Sequence, residues 1–389
     1  MFSTSRERGL ATLITQGPMH RADLARALAV SRTTVTNLTQ ELMTEGILHS
    51  EPGSPLKTKI RVSPHVGVLV SVVFRLRTTI VAVGSLDGHD ISLRTAEQQP
   101  ADLGGQRLAT ASRLVDELLA DADSPPVLAA HVAVNTQIDV HTGEVVGGEA
   151  SRMWSGVNPL TTMAEHLGAP VLVENTARLL ALAHHLAETG GTSRNLLYVH
   201  LSHGIAMGQI VRGSIVQGSH GGAGELGHMS IDPDGLPCEC ANRGCLMQYV
   251  DEKSVLSRAQ MILGRDASIE DLLKGAEAGS RPCINLITDV GSTLGQALVS
   301  VCHLLDPDVI VLGGSLTQAG ELLTSPVRQV LTQRALPLNT RGLTVTASPS
   351  PLPVRSVVEA GLYVLRSEQH IVARLISTVG ASAAASSRQ

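Results

Sequence analysis

Among the 389 residues of this chain, four constrain its folding most: His228, followed by Cys238, Cys240 and Cys245 at spacings of ten, two and five. One imidazole and three thiols so close in sequence make a closed tetrahedral donor set of the kind Zn²⁺ prefers, with no open position for activating water. A structural Zn²⁺ held by His228, Cys238, Cys240 and Cys245 is therefore expected. The chain has five cysteines in all, and a metal site in a reducing compartment suits them better than a disulfide framework. The other two, Cys283 and Cys302, lie in apolar helical stretches without a histidine at metal spacing, and read as core residues.

The length predicts two or three domains. Hydrophobic residues are 43% of the chain and charged residues 17%, which excludes a disordered chain and predicts real cores. Aromatics are scarce, so Leu, Val, Ile and Ala must build those cores. Neither an apolar leader nor a run of about 18 apolar residues occurs, so a cytoplasmic protein without a membrane partner is expected.

The overall formal charge of −5 argues against a nucleic-acid partner, but it is unevenly spread. Residues 1–62 hold eight Lys/Arg against five acids, which leaves −8 for the remainder. That asymmetry points to an anionic partner for the N-terminus alone. Leu10, Leu13 and Ile14 share a helical face that Gly17-Pro18 ends, and Leu24, Ala25 and Leu28 mark a second short helix. After a tight turn at Ala29-Val30, Ser31 caps a third helix predicted to run to about Glu45, where Gly46 stops it.

This is helix-turn-helix spacing. Val35, Leu38 and Leu42 face the core, which puts Thr33, Thr36, Asn37 and Gln40 on the opposite face. Together with Ser31, Arg32 and Thr34 at the start of the helix, they are the candidates for contacting base edges and phosphates of a double-stranded operator. Ile47–His49 and Ile60–Val62 read as the strands of a wing carrying Lys57 and Lys59. Such modules bind paired half-sites, so a homodimer or homotetramer is expected.

From about residue 66, apolar strands alternate with helical stretches: 67–74, 80–84, 129–134, 171–173, 196–201 and 309–312. This is an α/β pattern with two lobes. The expected boundaries are a winged helix-turn-helix over 1–62, a first lobe over 66–194 completed by a C-terminal helix at 356–378, a second lobe over 195–355 with the zinc site, and a frayed tail at 380–389.

The stretch Glu225-Leu226-Gly227-His228 followed by the cysteine cluster resembles the signature of the ROK family, which contains bacterial sugar kinases and sugar-responsive repressors. The family's Cys-x-Cys-Gly-x-x-Gly-Cys is matched except that Ala241 stands for the first glycine. The resemblance covers nearly the whole chain, because the regulator branch also carries a winged helix in front. It implies a two-lobed actin/hexokinase-like, ribonuclease H-like sugar-kinase fold.

By the same resemblance, family kinases hold a sugar through an Asn-Asp pair, the Glu of Glu-Leu-Gly-His, the zinc-bound His and a Glu two residues after the last cysteine. Here Asn175 is retained, Thr176 replaces the aspartate that serves as general base, and Met247 replaces the last glutamate. A threonine hydroxyl is no base at neutral pH, and losing a general base costs about 10² to 10⁴ in rate. The phosphate turn Asp-x-Gly is absent from Ser71–Arg75, while Ser202-His203-Gly204 and Asp306–Ser315 keep the shape of nucleotide-side elements without their chemistry.

What survives is a possible effector pocket of Asn175, Glu225 and His228, for a sugar or, with Arg178 nearby, a sugar phosphate. A ligand-responsive regulator without catalysis is the leading expectation. A diverged sugar kinase with a fused regulatory domain and a ligand-independent DNA binder are the alternatives, separated by residue 176 and by whether any ligand changes stability.

Overall fold

The computed structural model describes residues 2, 4–50, 58–122, 124–147, 152–187, 192, 195–348 and 351–386, with backbone alone over 379–386. Lys57 lies outside the described residues.

Three helices open the chain: α1 (Ser5–Gln16), α2 (Arg21–Leu28) and α3 (Arg32–Thr44). Thr4 and Glu7 form a capping box on α1, and the Ser31 hydroxyl caps α3 by accepting from Thr34 N–H at 3.1 Å. Between α2 and α3 the chain turns through Ala29 in the left-handed region, φ 54°. The sheet beside them has three antiparallel strands, with β3 (Lys59–Val62) between β1 (Met19–His20) and β2 (Leu48–Ser50). The two wing strands match the sequence pattern. β1 is too short to show a pattern and was not anticipated.

The next two sheets share one plan. In the first, the order is β6 (Ile91–Glu97), β5 (Thr78–Ser85), β4 (Val68–Phe74), β7 (Val127–Val134), β8 (Val171–Asn175). In the second it is β11 (Ser214–Ile215), β10 (Ile205–Val211), β9 (Asn195–Leu201), β12 (Val309–Gly313), β13 (Thr344–Ala347). Each begins as an antiparallel meander of three strands and continues with two parallel ones. β4 and β9 hold equivalent central places. Helices α4 (Gly104–Asp121) and α5 (Pro159–Leu167) pack on the first sheet, while α6 (Thr176–Ala187), which follows β8, lies chiefly against β9 and β10 of the second. The other helices of the second half are α7 (Met247–Val250), α8 (Glu252–Leu263), α9 (Ile269–Glu277), α10 (Arg281–Leu305) and α11 (Glu321–Arg334).

The C-terminus departs from expectation. Instead of one helix over 356–378 there are two, α12 (Val354–Ser367) and α13 (Gln369–Ser386), separated at Glu368, whose ψ of 114° is extended. α12 lies on β4 and β7 and comes close enough that a Cβ at Gly361 would stand 2.3 Å from Ser71 Oγ. α13 turns towards the N-terminal helices. Its Ile371, Val372, Leu375 and Ile376 share one buried core with Leu10, Leu13 and Leu24 from α1 and α2, and with Leu69, Leu128 and Leu362. The expected frayed tail is helical to Ser386, as its alanines favour; residues 387–389 lie outside the described residues.

An ion-pair joint reinforces that shared core. Arg61 of β3 is 3.1 Å from Asp87 Oδ2 and 2.5 Å from Asp90 Oδ2, both in the turn between β5 and β6. Arg366 of α12 donates to Asp87 O at 3.1 Å. Arg61, one of the eight basic residues of 1–62, therefore points into the protein and neutralises a carboxylate held below its ordinary pKa despite its burial, by Arg61 and by hydrogen bonds from Ser85 and His89. Among the described residues no helix is long and apolar enough to cross a membrane.

Candidate ligand pocket and metal cluster

The strongest cluster is built by a loop. After β11 the chain forms a short 3-10 turn at Leu226–His228, where residues three apart are eclipsed, so Glu225 and His228 lie on one side of it. The chain then returns through small bridges pairing Ser230 with Cys245 and Pro237 with Arg243. This folds the three cysteines back on the imidazole. The ligand atoms of His228, Cys238, Cys240 and Cys245 all lie within 4.8 Å of one another.

The donor spacing suits a metal. His228 Nδ1 is 3.7 Å from Cys238 Sγ, and Cys240 Sγ is 3.6 Å from Cys245 Sγ. A tetrahedron with metal–sulfur bonds of about 2.3 Å has edges of roughly 3.7 Å. The thiols also perturb one another. Burial pushes the Cys238 thiol up, but hydrogen bonds from the Cys240 backbone and its neighbours outweigh it and leave about 7. Cys245 is pushed up to about 12 by burial and by the neighbouring sulfurs. Gly244 permits the fold-back, because a Cβ there would stand 1.7 Å from Asp232 O. Ala241 adopts φ 67°, which explains a preference for glycine at that position.

The sugar-side residues are arranged differently. Asn175 Nδ2 donates to Thr136 O at 2.9 Å, and its Oδ1 accepts from Ala177 N–H at 2.7 Å. Its amide thus bonds backbone, and Thr176 is equally committed, its hydroxyl donating to Phe74 O at 3.2 Å. Arg178 is neither a solvated helix residue nor a free cation, being 1% exposed. Its Nε is 2.5 Å from Glu174 Oε1 and its guanidinium donates to Ala223 O at 2.8 Å. Gln217 closes the group by donating to Glu174 Oε2 at 2.7 Å. The i, i+4 spacing of Glu174 and Arg178 could have signalled this pair. Glu225 is half-buried, and Met247 opens α7 against the apolar core of the second lobe.

On the nucleotide side, Phe74 packs edge-on against Trp154 with ring centroids 5.4 Å apart. Ser202–Gly204 is the turn between β9 and β10. His203 lies 3.3 Å from Glu252, a contact that raises the imidazole and lowers the carboxylate. Gly313 is required by packing, since a Cβ would meet Tyr198 Oη at 2.0 Å. In the N-terminal module, Ser31, Arg32, Thr33, Thr34, Thr36, Asn37, Gln40 and Lys59 are all exposed. Two of them are partly engaged, as the Ser31 and Thr34 hydroxyls bond each other at 2.8 Å.

Two lobes with duplicated sheets, a His-Cys₃ cluster and a trihelical module in front define a sugar-kinase-like protein with an added N-terminal module. The model of the ROK family matches residues 81–349, and the chain belongs to that family. A relative described as a putative xylose repressor, from Caldicellulosiruptor sp. (strain Rt8B.4), is 26% identical over 84% of this chain and 86% of its own. The crystal structure of a ROK family transcriptional regulator, a homologue of the E. coli Mlc protein, superposes over 96% of this chain and 98% of its own, with TM-score 0.76 and 23% identity. A ROK glucokinase from Streptomyces griseus, in complex with glucose and AMPPNP, covers 76% of this chain and 98% of its own, with TM-score 0.62 and 19% identity. The fold is thus the actin/hexokinase-like fold of ROK proteins.

Proposed function

We propose that this protein is a transcriptional repressor of the ROK type that binds an operator through its winged helix as a homo-oligomer in the cytoplasm. Its kinase-like lobes sense a carbohydrate ligand and transfer no phosphoryl group. The observation that carries this reading is α3, which buries Val35, Leu38 and Leu42 while Thr33, Thr36, Asn37 and Gln40 stay exposed, on a module sharing one core with the lobe behind it. The repressor relative, matched along most of its length, supports the same reading. Against catalysis stand Thr176, committed to Phe74 O, and Phe74 itself, packed where a phosphate turn would need glycine.

His228, Cys238, Cys240 and Cys245 would hold one Zn²⁺ as a structural ion, which supplies folding free energy and no reactive water. The effector pocket draws on Glu225 and His228, with Asn175 shaping its wall. Footprinting on the chromosomal region around the coding sequence, repeated with a panel of sugars beside a coupled kinase assay, tests the reading. Arg32→Gln should weaken binding to all sequences and reduce its salt dependence, whereas Asn37→Ala should change which sequence is preferred. ATP-dependent turnover, or operator binding that survives deletion of residues 1–62, would defeat it.

A further inference from the structure

The five cysteines of the chain are unequally placed. Cys283 and Cys302 lie inside α10, fully buried in the core of the second lobe, and burial together with Asp306 pushes the Cys302 thiol up to about 11. A thiol kept neutral and out of reach of solvent is inert. Cys238 and Cys245 are buried as well, and Cys240 alone is exposed. It stands in a run of exposed residues over 239–243, between the two enclosed members of its own cluster. The His228, Cys238, Cys240 and Cys245 donors therefore share one point in space but offer a reagent in solution a single sulfur.

The turn after Cys240 decides which sulfur it meets. Ala241 and Gly244 both have positive φ, 67° and 61°, and the Ala241 N–H bonds Cys238 O at 3.1 Å, so the chain reverses at once and returns Cys245 to Cys240. Their Sγ atoms are 3.6 Å apart. A disulfide of about 2.05 Å asks them to approach by about 1.5 Å, within the reach of side-chain rotation. Cys238 is the poorer partner, because one intervening residue leaves too little chain for an unstrained disulfide to Cys240, and its Sγ faces His228 Nδ1 at 3.7 Å. Cys245 is a fixed target, with its Sγ 3.4 Å from His228 O and its backbone bridged to Ser230.

We propose that Cys240 is a site of oxidative modification, at which a peroxide takes the one exposed sulfur of the cluster and Cys245 resolves the product into a Cys240–Cys245 disulfide. The Cys240 thiolate attacks one peroxide oxygen, the O–O bond breaks, hydroxide leaves and a sulfenic acid forms. The Cys245 thiolate then attacks that sulfur, the S–O bond breaks and a second hydroxide leaves. Two thiolates and one peroxide become one disulfide and two hydroxides, with two electrons passing from sulfur to oxygen. Two of the four converging donors are consumed, so a metal held by them is released, and His228, on which the proposed effector pocket draws, loses its anchor. Thiol reductants reverse the step and restore the donor set. Metal release rests on the reading of the cluster as a zinc site, whereas the disulfide rests on the placement of the sulfurs alone.

The test is oxidation of the full metal-loaded chain with hydrogen peroxide, with released Zn²⁺ read by a chromophoric chelator and sulfur pairing read by peptide mass mapping after alkylation of the remaining thiols. One zinc should leave per disulfide formed, the peptide holding Cys240 and Cys245 should be unalkylated and lighter by two hydrogen atoms, and a thiol reductant should restore metal uptake. Cys240→His keeps a donor for the metal but removes the exposed sulfur, and should lose zinc to peroxide about tenfold more slowly. The double variant Cys283→Ala/Cys302→Ala should release it as wild type does. Mapping of the wild-type chain decides the matter even where Cys240→His fails to fold. A chain that carries no zinc by elemental analysis defeats the metal reading, and its disulfide map still decides the modification. Cys240 and Cys245 both left alkylatable after peroxide, a bridge to Cys238 instead, or oxidation that begins at Cys283 or Cys302 overturns the proposal.

Discussion

The two lobes carry the same sheet plan but treat their clustered polar residues in opposite ways. In the first lobe, Glu174, Asn175, Thr176 and Arg178 have turned inward: each is bonded to a backbone group, to Gln217 or to one another. In the second lobe, His228, Cys238, Cys240 and Cys245 converge on a shared point with only long sulfur contacts among them. Polar groups that satisfy one another need no ligand, whereas converging donors of one charge type do. On the proposed reading, the difference separates a first lobe whose polar residues close on one another around Thr176 from a second lobe whose donors stay converged for a metal.

The largest effect should come from breaking the second lobe's side of this comparison. One zinc per chain is expected by elemental analysis, and chelation or Cys245→Ser should unfold the 226–250 segment, α7 included. Structural zinc binds small peptides with about 10 to 16 kcal/mol. A loss of even about 5 kcal/mol would lower the melting temperature of a lobe this size by roughly 10 to 20 °C. A metal-free preparation with an unchanged melt would show that the converging donors are idle.

The first lobe's side is sharpened by Glu174→Gln, which leaves Arg178 buried without its carboxylate. Removing one partner of a buried pair costs about 3 to 5 kcal/mol, while replacing both by apolar residues is often close to neutral. Urea unfolding should therefore find Glu174→Gln severely destabilised and the double variant Glu174→Met/Arg178→Met much less so. If the single variant matched wild type, the inward closure would be a surface ion pair of little worth.

These contrasts were unequally legible in the sequence. The convergence of His228 and the three cysteines was readable because ligand chemistry fixes residue type and spacing, and the helices of the N-terminal module because apolar period, cap and turn coincide. Thr176 was readable as the residue standing where the family resemblance puts a carboxylate base. What Arg61 faces was not, nor that Arg178 reaches Ala223 besides Glu174, because charge type says nothing about partners far along the chain such as Ala223 or Asp87. The joint between module and lobe was hidden for the same reason: it depends on α13 leaving the line of α12 at Glu368, a residue with no breaker character.

Not every polar group in the first lobe is satisfied: Thr79 Oγ1, Gln98 Nε2 and Arg178 Nη2 are buried without partners, and one further such group predicts a pH effect. His131 of β7 is buried beneath α12 with its Nδ1 unpartnered, as is Ser71 Oγ beside it. Burial pushes its imidazole from an ordinary 6.5 down to about 4. The folded state then binds fewer protons than the unfolded one between those values. This contribution is fully present above pH 6.5 and is lost as pH falls towards 4, amounting to about 3 kcal/mol. Melting curves from pH 7.5 to 4.5 should thus fall more steeply for wild type than for His131→Leu. Because metal loss on acidification affects both proteins alike, parallel curves would count against that effect.

The smallest effect lies within the second lobe, where the cluster tolerates one strained residue. Ala241 holds φ 67° between the second and third cysteines, and its N–H bonds Cys238 O at 3.1 Å, so the turn cannot relax without moving a donor. A left-handed conformation costs an L-residue roughly 1 to 2 kcal/mol, part of which Ala241→Gly would return to unfolded-chain entropy. The net gain should be about 0.5 to 1 kcal/mol, seen as a melting temperature higher by roughly 1 to 4 °C, and the metal should leave more slowly to a chelator. A lower melt with unchanged metal release would mean that the alanine methyl makes a compensating contact, and that the cluster, like the first lobe's closed pocket, satisfies itself through packing.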